Sequence, residues 1–124
     1  MKIAVAERGV VSVIALQGDF VIGAPEAAFN QAIRDLLDRQ RKLVVVDFAG
    51  LGNIDSSGID ALVSGMTSCV NAGGRMSMAR LTARAKKLFE ITRLDSIFDI
   101  HGEVEGAVVK LETQARPPDS LVTK

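Results

Sequence analysis

The sequence has few of the residue types that metal and redox sites need. Among its 124 residues there is one cysteine, Cys69, and one histidine, His101, and there is no Trp or Tyr. A single cysteine cannot form an internal disulfide or a cysteine-rich zinc site, and a single imidazole is a poor start for a metal centre. We therefore expect no metal site, and the lone thiol is expected to be an inert, partly buried side chain.

Net charge and long apolar runs are also missing. Fifteen basic and fifteen acidic side chains cancel, whereas a domain that grips nucleic acid by releasing counterions carries a basic excess. No apolar run approaches the roughly 20 residues that span a bilayer. The charges at Lys2 and Glu7 interrupt the N-terminal segment too early for a signal peptide. These absences predict a cytoplasmic protein with no direct nucleic-acid partner and no membrane insertion.

The hydrophobic periodicity alternates between strand and helix along the chain and predicts one α/β domain. The strands are expected at residues 3–6, 10–16, 43–47, 75–79 and 97–100. The helices are expected from Pro25 to about residue 40, over 57–72, and after a capping Thr82, while 104–111 fits a helix or a strand-like closure. We expect the domain to cover residues 1–113 and residues 114–124, with Pro117 and Pro118, to form a flexible tail.

Two local expectations concern the segments around the third strand. Glycines at 50 and 52 favour a loop after residue 47, and Gly18-Asp19-Phe20 favours an end to the second strand. The helix over 57–72 is expected to bury an apolar stripe. Its members are Ile59, Leu62, Val63, Met66 and Val70.

The most informative stretch is Asp55-Ser56-Ser57-Gly58, which lies between an apolar strand and an apolar-periodic helix. It places two hydroxyls at a helix start, where backbone N–H groups are unpaired and the helix dipole favours negative charge. One interpretation is that the serines are only helix caps. The other is that one of them accepts a phosphoryl group, which adds about −1.5 to −2 charges at a single point.

Catalysis by this chain is not expected. A nucleophilic Ser57 needs a base, and the sequence offers only His101 and no Gly-x-Ser-x-Gly elbow. Gly50 and Gly52 lack the third glycine of a dinucleotide fingerprint, and no Walker lysine is present. We therefore expect no cofactor and no enzymatic activity.

The ordered set of motifs resembles the STAS domain, and most closely the bacterial anti-sigma factor antagonists. The fragments that carry the resemblance are VVVDF at 44–48, IDSSG at 54–58, NAGGR at 71–75, KKLFEITRL at 86–94, IF at 97–98 and VEGA at 104–107. The resemblance implies a four- or five-stranded mixed sheet flanked by helices, with the helices on one side.

The resemblance also implies a function. In such antagonists the serine next to the glycine, here Ser57, is phosphorylated by an anti-sigma factor that is itself a serine kinase. The unphosphorylated antagonist binds that kinase and releases a sigma factor, and a protein phosphatase resets the phosphorylated form. The partner-binding loop carried over to this sequence comprises Asp19, Asp55, Ser56, Gly58 and Asp60.

The sequence departs from the family pattern in two places. Many antagonists have an acidic residue where this chain has Val21, and a small residue where it has Asp60. Both departures concern recognition by the kinase, and Asp60 is also placed to assist the helix start. The alternative function is therefore a STAS scaffold that is never phosphorylated, acting as a regulatory subunit of a stress-sensing or lipid- or anion-transport complex.

Overall fold

The computed structural model describes residues 1–115, which form a five-stranded sheet and four α-helices. The strands are β1 (Lys2–Arg8), β2 (Val11–Phe20), β3 (Leu43–Ile54), β4 (Arg75–Ala79) and β5 (Asp99–His101). The helices are α1 (Ala24–Asp38), α2 (Ser56–Asn71), α3 (Ala83–Ile91) and α4 (Val104–Ala115). The predicted α/β class is confirmed. Helix α4 includes the first two residues of the predicted tail, and the rest of that tail lies outside the described residues.

The strands follow one another across the sheet in sequence order, from β1 at one edge to β5 at the other. β1 pairs with β2 antiparallel, and every other neighbouring pair is parallel. The mixed sheet is therefore as predicted. Because β2, β3 and β4 run in the same direction, the loops that follow them meet at one edge. That edge carries the Asp55–Gly58 segment.

Apolar side chains cover both faces of the sheet. One face packs against α1, α2 and α3, with Phe29, Leu62 and Phe89 fully buried there. On the other face, Val13 and Val45 pack against Leu111 of α4. Adjacent strand residues point to opposite faces, and both sets are apolar here, so each face needs cover. The expectation of helices on one side only is therefore wrong, since α4 covers the second face.

β3 is longer than its β-branched segment predicts. It continues through the glycine-containing segment to Ile54, and Gly50 and Leu51 pair with Gln17 and Gly18 of β2. A Cβ atom at residue 50 would lie 2.8 Å from the carbonyl oxygen of Leu16. The glycine thus allows close approach of two strands and does not mark a loop. β2 also runs farther than expected, since it includes Gly18-Asp19-Phe20 and ends at Phe20.

Helix α2 buries only part of the predicted stripe: Leu62 is fully buried, and Val63 and Met66 pack half-buried against the core. Its buried residues are Gly58, Ala61, Leu62, Gly65 and Cys69, whereas Val70 is 55% exposed. A Cβ atom at Gly65 would lie 3.1 Å from the ring of Phe29 and 3.3 Å from the Met76 methyl group. Small residues therefore set the buried side of α2, because they let it approach α1 and the sheet closely.

An ion pair links β3 to the end of β4. Arg80, whose backbone φ is +58°, donates from Nε to Asp47 Oδ1 at 3.0 Å and from Nη2 to Oδ2 at 2.7 Å. Burial acts to raise the pKa of the Asp47 carboxyl, but the hydrogen bonds from Arg80 and the Ala49 N–H, with the charge of Arg80, lower it below its ordinary value. Asp47 therefore has a structural partner within the domain.

Candidate functional site at the carboxyl edge of the sheet

Asp55 connects the start of α2 to the loop between β2 and α1. It is the N-cap residue of α2, and its Oδ1 accepts a hydrogen bond from the Gly58 N–H at 3.0 Å. Its Oδ2 accepts from the Ile22 N–H at 3.1 Å, and its own N–H donates to the Phe20 carbonyl at 3.3 Å. One carboxylate therefore caps the helix and fixes the position of a neighbouring loop.

Asp19 makes the reciprocal contact from β2 to β3. Its Oδ1 accepts a hydrogen bond from the Asn53 N–H at 2.8 Å. Gly52 lies directly against the same carboxylate oxygen, so a side chain there would displace it. The Asn53 side chain in turn accepts a hydrogen bond from Arg84 at the start of α3. Asp19 of β2 therefore binds the backbone of β3, and Asp55, which follows β3, binds the backbone that follows β2. We call these two contacts, Asp19–Asn53 and Asp55–Ile22, the carboxylate clasp.

Gly58 is buried against the chain itself. A Cβ atom at this position would lie directly against the Phe20 carbonyl oxygen and 2.9 Å from Ile54 Cγ1. The sequence left open whether a side chain here would crowd a docked partner or whether the backbone is unusual. The structure shows a close contact within the domain, between the first turn of α2 and the end of β2.

The two serines occupy the first turn of α2, directly after the N-cap. Ser56 is exposed and Ser57 is half-buried, while Asp60 is exposed in the second turn. Asp55 caps α2 by accepting from the N–H of Gly58, the third residue of the helix. In a capping box the side chain that returns to the N-cap belongs to this third residue. Asp60 lies beyond that position. The structure thus brings all six predicted site residues to one edge, with Ser56 and Asp60 at the surface and Gly58 inside.

The Asp55 carboxyl is held in its charged form. The hydrogen bond from the Gly58 N–H is the largest influence and lowers its pKa, a partial burial opposes this, and the Ile22 N–H lowers it further. The resulting pKa lies below the ordinary value. A negative charge is therefore present beside Ser57 at neutral pH.

Ile22 is the residue at this edge that the sequence did not single out. It is 71% exposed, the highest value among the exposed large apolar side chains of residues 1–115. Val21, at the position where the family pattern has an acid, is half-buried beside it. The readable signal was the apolar pair Val21-Ile22 directly before Gly23, between the end of β2 and the start of α1.

His101 is the last residue of β5, the edge strand that β4 separates from β3. Its Nε2 is 3.0 Å from Asp99 Oδ2, and Lys110 of α4 donates to the same carboxylate at 3.1 Å. Within residues 1–115, no group of three or more His, Cys, Asp or Glu side chains is placed to hold a metal ion. In the same range, no helix has both the length and the apolar character needed to cross a membrane.

A five-stranded mixed sheet with the Asp55–Gly58 segment leading into α2 defines the protein as a small α/β domain. The STAS domain family model matches residues 2–107, and the chain belongs to that family. The predicted resemblance is confirmed.

Solved structures share this fold at low sequence identity. A Thermotoga maritima protein described as an anti-sigma factor antagonist has a TM-score of 0.82 at 16% identity, covering 89% of this chain and 94% of its own. An anti-sigma factor antagonist from Mycobacterium paratuberculosis has a TM-score of 0.76 at 20% identity, covering 90% of this chain and 93% of its own. The phosphorylated form of the Bacillus cell fate determinant SpoIIAA has a TM-score of 0.71 at 17% identity, covering 88% of this chain and 98% of its own. No curated protein sequence matches this chain significantly.

Proposed function

We propose that this protein is an anti-sigma factor antagonist that binds an anti-sigma factor serine kinase when Ser57 is unmodified and loses that binding when Ser57 is phosphorylated. The observation that carries the proposal is the position of Ser57. It is half-buried in the first turn of α2, two residues after the N-cap Asp55. Membership of the STAS family and the fold of the antagonists support it.

The physical chemistry of the first turn explains how a phosphoryl group would act as a switch. A phosphate on Ser57 adds about −1.5 to −2 charges. The helix start favours it by about 0.3–1 kcal/mol. Asp55, already ionised by its hydrogen bonds, opposes it. These opposing effects are small beside the stability of a domain, so the fold persists while the charge of the surface changes.

The same site explains how the change reaches a partner. Asp55 holds the Ile22 N–H with the carboxylate that faces the first turn of α2. A phosphate beside that carboxylate repels it and so weakens the hydrogen bond from the Ile22 N–H to Asp55. It also places a dianion on the surface that a docked partner would have to desolvate. Release of the kinase lets it bind a sigma factor again, and a protein phosphatase restores the free serine. In this scheme the protein acts in the cytoplasm, as a regulator of transcription with no catalytic step of its own.

The test uses purified protein and each anti-sigma factor kinase of the source organism, with ATP. We expect an intact-mass gain of about 80 Da, one phosphoryl group, on the wild type and on Ser56→Ala but not on Ser57→Ala. Binding measured by calorimetry should be strong for the unmodified chain and lost for the phosphorylated one. Binding without any mass gain would contradict the switch and favour the alternative of an unphosphorylated STAS scaffold.

A further inference from the structure

The exposed side of α1 changes character along its length. Near its start the exposed residues are alanines, and farther along they are polar or charged. The exposed positions are, in order, Ala24, Ala27, Ala28, Gln31, Arg34, Asp35 and Asp38. Charged and polar residues are typical of the solvent side of a helix, as in the second half of α1. The apolar end of α1 is the end that borders the carboxylate clasp.

Ile22 lies directly before Gly23, the N-cap of α1, at the end of the helix that carries the alanines. Its side chain is 71% exposed, while its backbone N–H is held at 3.1 Å by Asp55. The other oxygen of that carboxylate binds the Gly58 N–H at 3.0 Å, one residue from Ser57. A large aliphatic side chain is thus presented to solvent from a backbone position that is fixed relative to the first turn of α2. We call Ile22, Ala24, Ala27 and Ala28 the α1 apolar patch.

The charged groups beside the patch are acidic. Asp60 is exposed on α2 and Glu26 is half-buried on α1, and neither takes part in the salt bridges among the described residues. Arg84 and Arg80, two cations at the carboxyl edge, are hydrogen-bonded to Asn53 and Asp47 respectively. A complementary surface is therefore aliphatic at its centre and basic at its rim.

We propose that the α1 apolar patch is the specificity-determining part of the interface, with Ile22 inserted into an aliphatic pocket of the partner protein that is bordered by basic side chains. Since Asp55 links Ile22 to the first turn of α2, the partner of the patch is the one in the proposed function, on which this inference rests. The fixed backbone of Ile22 lowers the ordering cost of docking, so one side chain can contribute a large share of the affinity. A pocket built for a polar or acidic residue at this position would not accept Ile22, which restricts the choice of partner.

The test is calorimetric binding of the same set of purified anti-sigma factors, without ATP, to the wild type and three variants. Ile22→Ser keeps the N–H that Asp55 holds and should weaken binding by about tenfold or more. The matched control is Ile91→Ser, at a residue 69% exposed at the end of α3, and should leave binding unchanged. Ile22→Val should restore most of the affinity. Amide hydrogen–deuterium exchange verifies that each variant keeps the native fold.

The outcomes separate this proposal from the proposed function. If a kinase binds and modifies Ser57 but Ile22→Ser binds as tightly as the wild type, the patch proposal is wrong and the switch stands. If a factor binds through Ile22 without modifying Ser57, the switch is wrong and the patch proposal stands. If no anti-sigma factor binds the wild type, both are overturned.

Discussion

The carboxylate of Asp55 accepts a hydrogen bond from the Ile22 N–H at 3.1 Å, across 33 positions of the sequence. The same carboxylate caps α2 through the Gly58 N–H. The segment with the candidate phosphoacceptor and the loop with the exposed isoleucine are therefore positioned by one side chain. A change at either segment is expected to affect the other.

Removing this carboxylate should loosen both segments. Asp55→Ala is expected to cost about 0.5–2 kcal/mol of unfolding free energy, because the N-cap is lost. Asp55→Ser can still accept from the Gly58 N–H and should cost less, but its single short side chain cannot also hold Ile22. Hydrogen–deuterium exchange at the Ile22 amide should be faster in both variants. An Ile22 amide as protected in Asp55→Ser as in the wild type would show that the clasp does not hold the loop.

Gly58→Ala should destabilise the domain. Alanine normally stabilises a helix relative to glycine by about 1 kcal/mol, but here its methyl group meets the Phe20 carbonyl and Ile54. We expect a net loss of about 1–3 kcal/mol, measured by urea unfolding. Gly102→Ala is the matched control, because nothing lies within 4 Å of a Cβ there. A loss in Gly102→Ala equal to that in Gly58→Ala would argue against a steric cause.

The ion pair between Asp47 and Arg80 should make stability depend on pH. Asp47→Asn keeps the shape and removes the charge, and it should cost about 1–2 kcal/mol at pH 7, a value reduced because Arg80 is partly exposed. The folded pKa of Asp47 lies below its ordinary value of 3.8. The extra stability of the wild type is thus complete above that value and is lost as the pH falls through the folded pKa.

Urea unfolding of the wild type and Asp47→Asn, from pH 7 to pH 2, measures this difference. The gap between the two proteins should be constant near neutrality and should close below pH 3.8. The other carboxylates titrate in both proteins, so their contributions cancel. A gap that widens in acid would mean that Asp47 is not stabilised in its charged form.

Cys69 should be unreactive in the folded protein. It is fully buried, and burial raises the pKa of its thiol from the ordinary 9.0 to about 11. Both effects suppress the thiolate that attacks disulfide reagents. We expect no reaction with a chromogenic disulfide at pH 8 over hours, and one thiol per chain in urea. Rapid labelling of the native protein would show that α2 separates readily from the sheet.

Charge at position 57 should affect binding and leave the fold nearly unchanged. Ser57→Asp places a carboxylate at the helix start, where the dipole favours it and Asp55 repels it, so stability should stay within about 1 kcal/mol of the wild type. Kinase binding should fall by about tenfold or more, whereas Ser57→Ala should bind normally. Thermal unfolding and calorimetry measure the two effects separately. A large loss of stability in Ser57→Asp would attribute any binding defect to unfolding.

The sequence by itself determined the α/β class, the cores of β1 to β4 and the start of α2, whereas the strand predicted at 97–100 is β5 at Asp99–His101. Thr82 caps α3 as predicted, accepting from the Ala85 N–H, and Asp55 is followed directly by α2. These features depend on neighbours within a few residues, so periodicity and capping preferences are sufficient to find them. The family resemblance added Ser57, whose role stays a prediction.

Only the tertiary structure decided the features that depend on contact between distant segments. The sequence did not show that Gly50 belongs to a strand. A glycine is needed there because the Leu16 carbonyl of the neighbouring strand lies too close for a side chain. The sequence also did not show that Val70 is exposed or that α4 covers the second face, because several faces were equally apolar. Nor did it connect Asp55 to Ile22. Hydrophobic periodicity identifies which residues can be buried, whereas packing against a particular partner determines which of them are.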